Sequence, residues 1–429
     1  MASRADTLIR NIGRLATVRG PAASRKGSQA AAIGLIEAAA VAACDGRIVS
    51  VGPEQHVLRE VQRVSGCVEI DAGGLLVTPG LVDPHTHAVY AKTREHEFAM
   101  RVAGSSYEEI AAAGGGIRSS VRDLRAATAE ELAAVGRRSL DRALAFGATT
   151  VEVKSGYGLE LEAELKTLRV IRALGDEHPV DVVPTFLGAH EIPDEWRDDR
   201  DAYVDIVTGV MLPRVAGERL ARFCDVFCEA HVFDVPQSRR ILEAAKALGL
   251  SPKLHADELA PTGGAELAAE VGAASADHLV CASDEGIDAM AAAGVVAVLL
   301  PGTTLSLGKR DYARARDMIE SGVAVALATD MNPGSSMTES MQIVMALGSM
   351  TLRMSPEEVL VAATANGAAA VGLAADVGSV EEGKLCDLVL WEVDDHRAIP
   401  YHYGVNLVRT VVKRGVPYDV ERAAAVRRD

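Results

Sequence analysis

Two histidines stand two residues apart in the run Asp83-Pro84-His85-Thr86-His87. On a strand this spacing turns both imidazoles to one face, where they pack poorly and are well placed to bind a metal. The runs His255-Ala256-Asp257-Glu258, Ala276-Asp277-His278 and Thr329-Asp330 supply further donors. Together His85, His87, His255 and Asp330 would offer three neutral nitrogens and one carboxylate oxygen, a set suited to one divalent zinc or iron(II) ion. Such a site must keep a position open for water, whose pKa falls on a metal. His278 is then either a fifth ligand or the group that orients the water, and the need for a vacancy favours the second.

Glu258, three residues past His255, is placed to take a proton from that water and pass it to a leaving nitrogen. Asp257 is the competing acid, because strand alternation puts it on the face of His255; the sequence leaves this choice open. Arg94, seven residues after His87, is a fixed cation suited to a bidentate carboxylate. Tyr157, between Gly156 and Gly158, is free to close over a ring. Asn332-Pro333-Gly334-Ser335 offers an amide, a hydroxyl and backbone groups to a substrate. Cys224 and Cys228 have metal-pair spacing, but they sit in an apolar run that reads as a buried strand with inert thiols.

Elements must bring these residues together. Strand patterns fall at residues 80–85, 149–154, 181–187, 225–229, 252–255, 275–279, 295–300 and 323–328, and helical stretches such as 129–146, 161–174, 236–248 and 263–271 intervene. That alternation predicts an α/β fold, a (β/α)8 TIM-like barrel over residues 80–379. No Gly-x-Gly-x-x-Gly turn opens a helix, which counts against a doubly wound sheet. Active residues of such barrels lie where strands end, and the candidates fall at those ends or just past them. Both chain termini instead carry short strands and turns, so 1–79 and 380–429 are expected to form one small β-sandwich domain.

The 429 residues carry a net charge of −16 with no basic run, which argues against nucleic-acid binding. The six cysteines are scattered, unlike a secreted disulfide framework. The N-terminus lacks a basic segment followed by an apolar one, and the Ala-rich stretch 30–44 is too short and is broken by Glu37. A cytoplasmic protein without a membrane span is expected.

Long runs place the chain close to a known family. Pro79-Gly-Leu-Val-Asp-Pro-His-Thr-His87, Gly114-Gly-Gly-Ile117, Glu152-Val-Lys-Ser-Gly-Tyr-Gly158, Thr185-Phe-Leu-Gly-Ala-His190, His255-Ala-Asp-Glu258, Ala276-Asp-His278 and Thr329-Asp-Met-Asn-Pro-Gly-Ser335 resemble the amidohydrolase superfamily, from about residue 77 to 413. The resemblance implies opening of a cyclic amide, 4-imidazolone-5-propanoate to N-formimidoyl-L-glutamate, in histidine degradation. It implies zinc or iron on His85, His87, His255 and Asp330. It also implies substrate or product on Arg94, Tyr157, His190, Glu258, Asn332, Gly334 and Ser335. His190 or the metal would polarise the carbonyl oxygen, and Glu258, His278 and Asp330 would carry the chemistry. A small carboxylate substrate and a homodimer follow from the same likeness. Binuclear relatives bridge two metals with a modified lysine on the fourth strand; here that strand holds Glu229 and His231 while Lys154 is on the second, so one metal is expected. The alternatives are a deaminase of guanine-like or cytosine-like rings and, further off, a scaffold of the same fold without catalysis.

Overall fold

The computed structural model describes residues 3–105, 109–110 and 113–419. In chain order its strands are β1 (Ser3–Ala16), β2 (Leu35–Cys44), β3 (Arg47–Pro53), β4 (Val61–Asp71), β5 (Leu76–Pro79), β6 (Leu81–Asp83), β7 (Ala148–Lys154), β8 (Asp181–Ala189), β9 (Phe223–Cys228), β10 (Ser251–Ala256), β11 (Ser275–His278), β12 (Val296–Leu299), β13 (Ala324–Leu327), β14 (Leu388–Trp391), β15 (Val408–Lys413) and β16 (Val416–Asp419).

Strands β6 to β13 form one parallel sheet of eight, each beside its neighbour in sequence. All eight expected strands are there, with ends displaced by one or two residues. The first is shortest because Pro84 has no N–H to continue the ladder. Past it, His87 N donates to Met331 O (2.8 Å) and Asp330 N to His85 O (3.1 Å), which ties the first strand to the segment after the eighth and closes the barrel. Asp83 strengthens the seam by accepting from Thr329 N (3.1 Å) and Thr329 Oγ1 (2.6 Å). Apolar residues such as Val151 and Val153 join the main core under the helices. The alternate positions of the same strands point inward. Charged groups do not gather only at the mouth, since Glu152, Lys154, Asp225, Lys253 and Asp277 are buried in the barrel interior.

The second sheet runs β16-β15-β14-β5-β1-β2-β3, with β4 also on β1. Strands from both chain ends meet where β14 pairs antiparallel with β5. They share one core, in which Ile9, Ile12, Leu15 and Val77 pack with Leu388, Leu390 and Val412. The Ala-rich stretch explains itself here. Ala39 and Ala43 face this core while Ala40 and Ala42 face another on the opposite side, so β2 is covered on both faces and needs small residues. The chain steps from this module into the barrel at Gly80, where any Cβ would lie 2.2 Å from Thr149 Oγ1. Only glycine fits that junction.

Candidate active site

The C-terminal ends of the barrel strands bring the predicted donors together. One ligand nitrogen each from His85, His87 and His255 lies within 4.8 Å of the others. Asp330 Oδ1 is 3.5 Å from His85 Nε2 and 3.6 Å from His87 Nε2. All four are buried. Burial pushes the histidine pKa values down, for His255 to about 3, so the rings are neutral donors. His85 Nε2 is buried without a hydrogen-bond partner, a state with a desolvation cost that a bound cation would remove. Three neutral imidazoles, with a carboxylate beside two of them, fit a divalent metal ion.

His278 stands beside this group, its ring 5.2 Å from that of His255, with Nδ1 3.6 Å from Glu258 Oε2. Its backbone is left-handed (φ 76°), as are those of Asp257 (49°) and Asp330 (50°). Strain of this kind concentrates at functional sites because the surroundings must impose it. The turn at Asp257 also separates the two competing acids. Asp257 Oδ1 accepts from the backbone N–H groups of Thr262, Gly263 and Gly264, and Oδ2 from that of Ala265. Its carboxylate is thus committed to the start of the helix Gly264–Val271, and Glu258 is the acid left facing the histidines. Glu229 is buried and accepts from Leu259 N (2.8 Å), anchoring the loop that carries Glu258. His231 is exposed, with its ring 6.3 Å from that of Phe227.

Sequence reasoning missed the layer beneath. Asp277 Oδ2 is 2.6 Å from His85 Nδ1, and Asp225 Oδ1 is 3.1 Å from His255 Nδ1. A carboxylate accepts only, so each ring must carry its proton on Nδ1 and present Nε2 as the ligand atom. Lys154 lies between the two carboxylates, which leaves no free amine for a metal bridge. The signal was there: Asp225 interrupts the apolar run Phe223 to Cys228, where a charge needs a reason. Cys224 and Cys228 are buried free thiols in β9, raised in pKa by burial, as expected of inert packing residues.

On the substrate side, Arg94 is mostly buried. Its Nη2 donates to Glu97 Oε2 at 2.5 Å, and its Nε has no partner. A Cβ at Gly334 would lie 2.5 Å from Arg94 Nη1, so glycine there is what lets the loop approach the guanidinium. Arg94 and Gly334 also border a cavity of about 540 Å³. The ring of Tyr157 is 5.7 Å from that of His87 and 5.4 Å from that of His190. Its loop is clasped by Glu164 Oε1, which accepts from Gly156 N (3.2 Å), Gly158 N (2.8 Å) and Leu159 N (3.0 Å). His190 stacks on His87 at 5.0 Å, and its Nδ1 donates to Gly156 O at 3.0 Å. Removal from water lowers its pKa to about 4. A neutral ring with its proton on Nδ1 presents an acceptor at Nε2, whereas the sequence reading had His190 or the metal polarise the carbonyl oxygen. Asn332 is hydrogen-bonded within its own loop. Its Oδ1 accepts from Gly334 N and Ser335 N at 2.8 Å each, and its Nδ2 donates to Asp330 O at 2.7 Å. The amide shapes the loop that carries Asp330 and Gly334.

A family model described as the amidohydrolase family matches residues 76–417. The chain belongs to that family, whose members are metal-dependent, and it is a hydrolase. The chain is 54% identical over 411 residues to an imidazolonepropionase of Symbiobacterium thermophilum, covering 96% of each chain. It is 51% identical to an imidazolonepropionase of Alkaliphilus metalliredigens, covering 96% of this chain and 97% of the relative. Within the amidohydrolases its place is therefore with the imidazolonepropionases. Among solved structures, a 5-methylcytosine deaminase from Klebsiella pneumoniae superposes with a TM-score of 0.73 at 17% identity, covering 96% of this chain and 97% of that one. An adenosine deaminase from Xanthomonas campestris with bound zinc gives 0.72 at 18%, covering 99% and 98%. At such identities these two establish the fold alone. Among the described residues no helix is long and apolar enough to cross a membrane.

Proposed function

We propose that the chain hydrolyses the ring amide of 4-imidazolone-5-propanoate to N-formimidoyl-L-glutamate, a step of histidine degradation. The observation that carries the reading beyond ring hydrolysis in general is Arg94. It is a mostly buried guanidinium, held at Nη2 by Glu97 and unpartnered at Nε, at the loop that follows Asp330, and it is suited to the propanoate.

His85, His87, His255 and Asp330 would hold zinc or iron(II), which supplies Lewis acidity and a lowered water pKa when bound. Arg94 anchors the carboxylate, and Tyr157 covers the ring. His190 Nε2 accepts from a ring N–H. His278 orients the attacking water, and Glu258 takes its proton and delivers it to the ring nitrogen as the amide C–N bond breaks. The former carbonyl becomes a carboxyl group that loses the second proton of the water to solvent, and the proton delivered by Glu258 stays on the released amidine. A homodimer in the cytoplasm completes the reading, with exposed Tyr401, Tyr403 and Val405 offering an apolar face to a second copy.

The test is the ultraviolet absorbance of freshly generated 4-imidazolone-5-propanoate mixed with the purified protein. Decay is expected, lost on chelation and restored by zinc or iron(II). Absence of chelator-sensitive decay sinks the reading.

A further inference from the structure

Lys154 occupies a point in the barrel that the chemistry above does not use. Its Nζ is 2.7 Å from Asp225 Oδ2, 2.8 Å from Glu152 Oε1 and 3.6 Å from Asp277 Oδ2, and all four side chains are fully buried. An ammonium has three N–H groups, and here three carboxylates surround it. Two of the three reach different histidines: Asp225 meets His255 Nδ1 at 3.1 Å, and Asp277 meets His85 Nδ1 at 2.6 Å. Glu152, the third, accepts at the same oxygen from Thr185 Oγ1 at 2.5 Å. Lys253 completes the layer, donating to Pro84 O at 2.8 Å and standing 3.4 Å from Glu152 and 3.8 Å from Asp277. Strands β7, β9, β10 and β11 and the turn before His85 thus converge on two ammonium groups.

We propose that Lys154 is a positioning residue. One ammonium, acting through Asp225 and Asp277, sets the aim of both His85 and His255. The proposal rests on the reading that His85, His87 and His255 hold a divalent ion. Without Lys154, Asp225 loses its ammonium partner and Asp277 keeps, besides His85, only Ser275 Oγ at 2.6 Å and Lys253 at 3.8 Å, so the two carboxylates repel and their histidines lose their aim. His87 has no part in this network, since its Nδ1 is buried without a partner.

The rival role, a charge felt only through space, predicts the opposite sign. A positive charge under a cation weakens its binding, so deleting it would tighten the metal. The experiment strips the full-length protein with a chelator, then measures zinc affinity by competition with a chromophoric chelator and records the visible bands of the cobalt(II) form. Lys154→Met should weaken zinc by about 10–100-fold, the usual effect of losing a partner behind a ligand, and shift the cobalt bands. Unchanged or tighter zinc, or unshifted bands, overturns the proposal. Should Lys154→Met not fold, Lys154→Met/Asp225→Asn removes one ion pair as a unit. It should still bind zinc more weakly than Asp225→Asn alone, because Asp277 loses the nearer of its two ammonium neighbours behind His85, and equal or tighter binding overturns the proposal. If the wild-type protein takes up no stoichiometric zinc, the metal site itself is wrong and Lys154 has no ion to serve.

Discussion

Glu258 Oε2 stands 3.6 Å from His278 Nδ1, while the neighbouring Asp257 turns away to cap the helix Gly264–Val271. The two acids therefore have different work. Glu258→Gln keeps the shape and removes the base, so kcat should fall by about 10²–10⁴-fold with metal content unchanged. Near-normal turnover would falsify the shuttle. Asp257→Asn should instead lower the unfolding midpoint, with turnover per folded molecule largely kept.

Arg94→Met should act on substrate capture. The lost charge-assisted pair predicts a KM raised by about two orders of magnitude, with a smaller change in kcat. Steady-state kinetics decide it, and an effect confined to kcat would remove Arg94 from the carboxylate.

Glu164 reaches the substrate only through the loop of Tyr157. Glu164→Ala removes the acceptor for three backbone N–H groups and should raise KM about tenfold while lowering stability by about 2 kcal/mol. Glu164→Gln retains a carbonyl oxygen and should recover most of both losses. Equal behaviour of the two variants would show that the clasp does not position Tyr157.

His190 gives a pH test on metal-free protein. Its folded pKa is held down to about 4, below the ordinary value of 6.5, because its surroundings exclude water. The unfolded chain then binds the extra proton between these values. The stability that His190 contributes is complete above pH 6.5 and is lost as pH falls through 4. Asp83, held up to about 7 by burial, changes stability in the opposite direction over an overlapping range, so only a difference between variants isolates one group. From urea denaturation, the stability of wild type minus that of His190→Asn should shrink by about 1.4 kcal/mol per pH unit fall below 6.5. A pH-independent difference would show that His190 does not titrate as described.

Much of this protein was legible in its sequence. The alternation of eight apolar runs with helical stretches was enough for the barrel, because strand and helix periods are local properties of the chain. The spacing of His85 and His87, and the ends of the strands holding His255 and His278, led to the cluster that the structure assembles. Gly80 and Gly334 permit close approaches whose partners, Thr149 and Arg94, only the fold supplies.

Tertiary structure alone decided the rest. Alternation put Asp257 on the face of His255, but β10 ends at Ala256, and a left-handed backbone at Asp257 turns the carboxylate out. Sequence could not reveal that His190 spends its proton on Gly156 or that Asn332 spends its amide on its own loop, because hydrogen-bond partners are set by proximity in space. Most of all, the pairing of Lys154 with Asp225 and Asp277 joins strands 71 or more residues apart. His85 and His87 announced a metal site by being two residues apart. What aims His85 and its partner His255 is a buried charge balance that exists only once the barrel has closed.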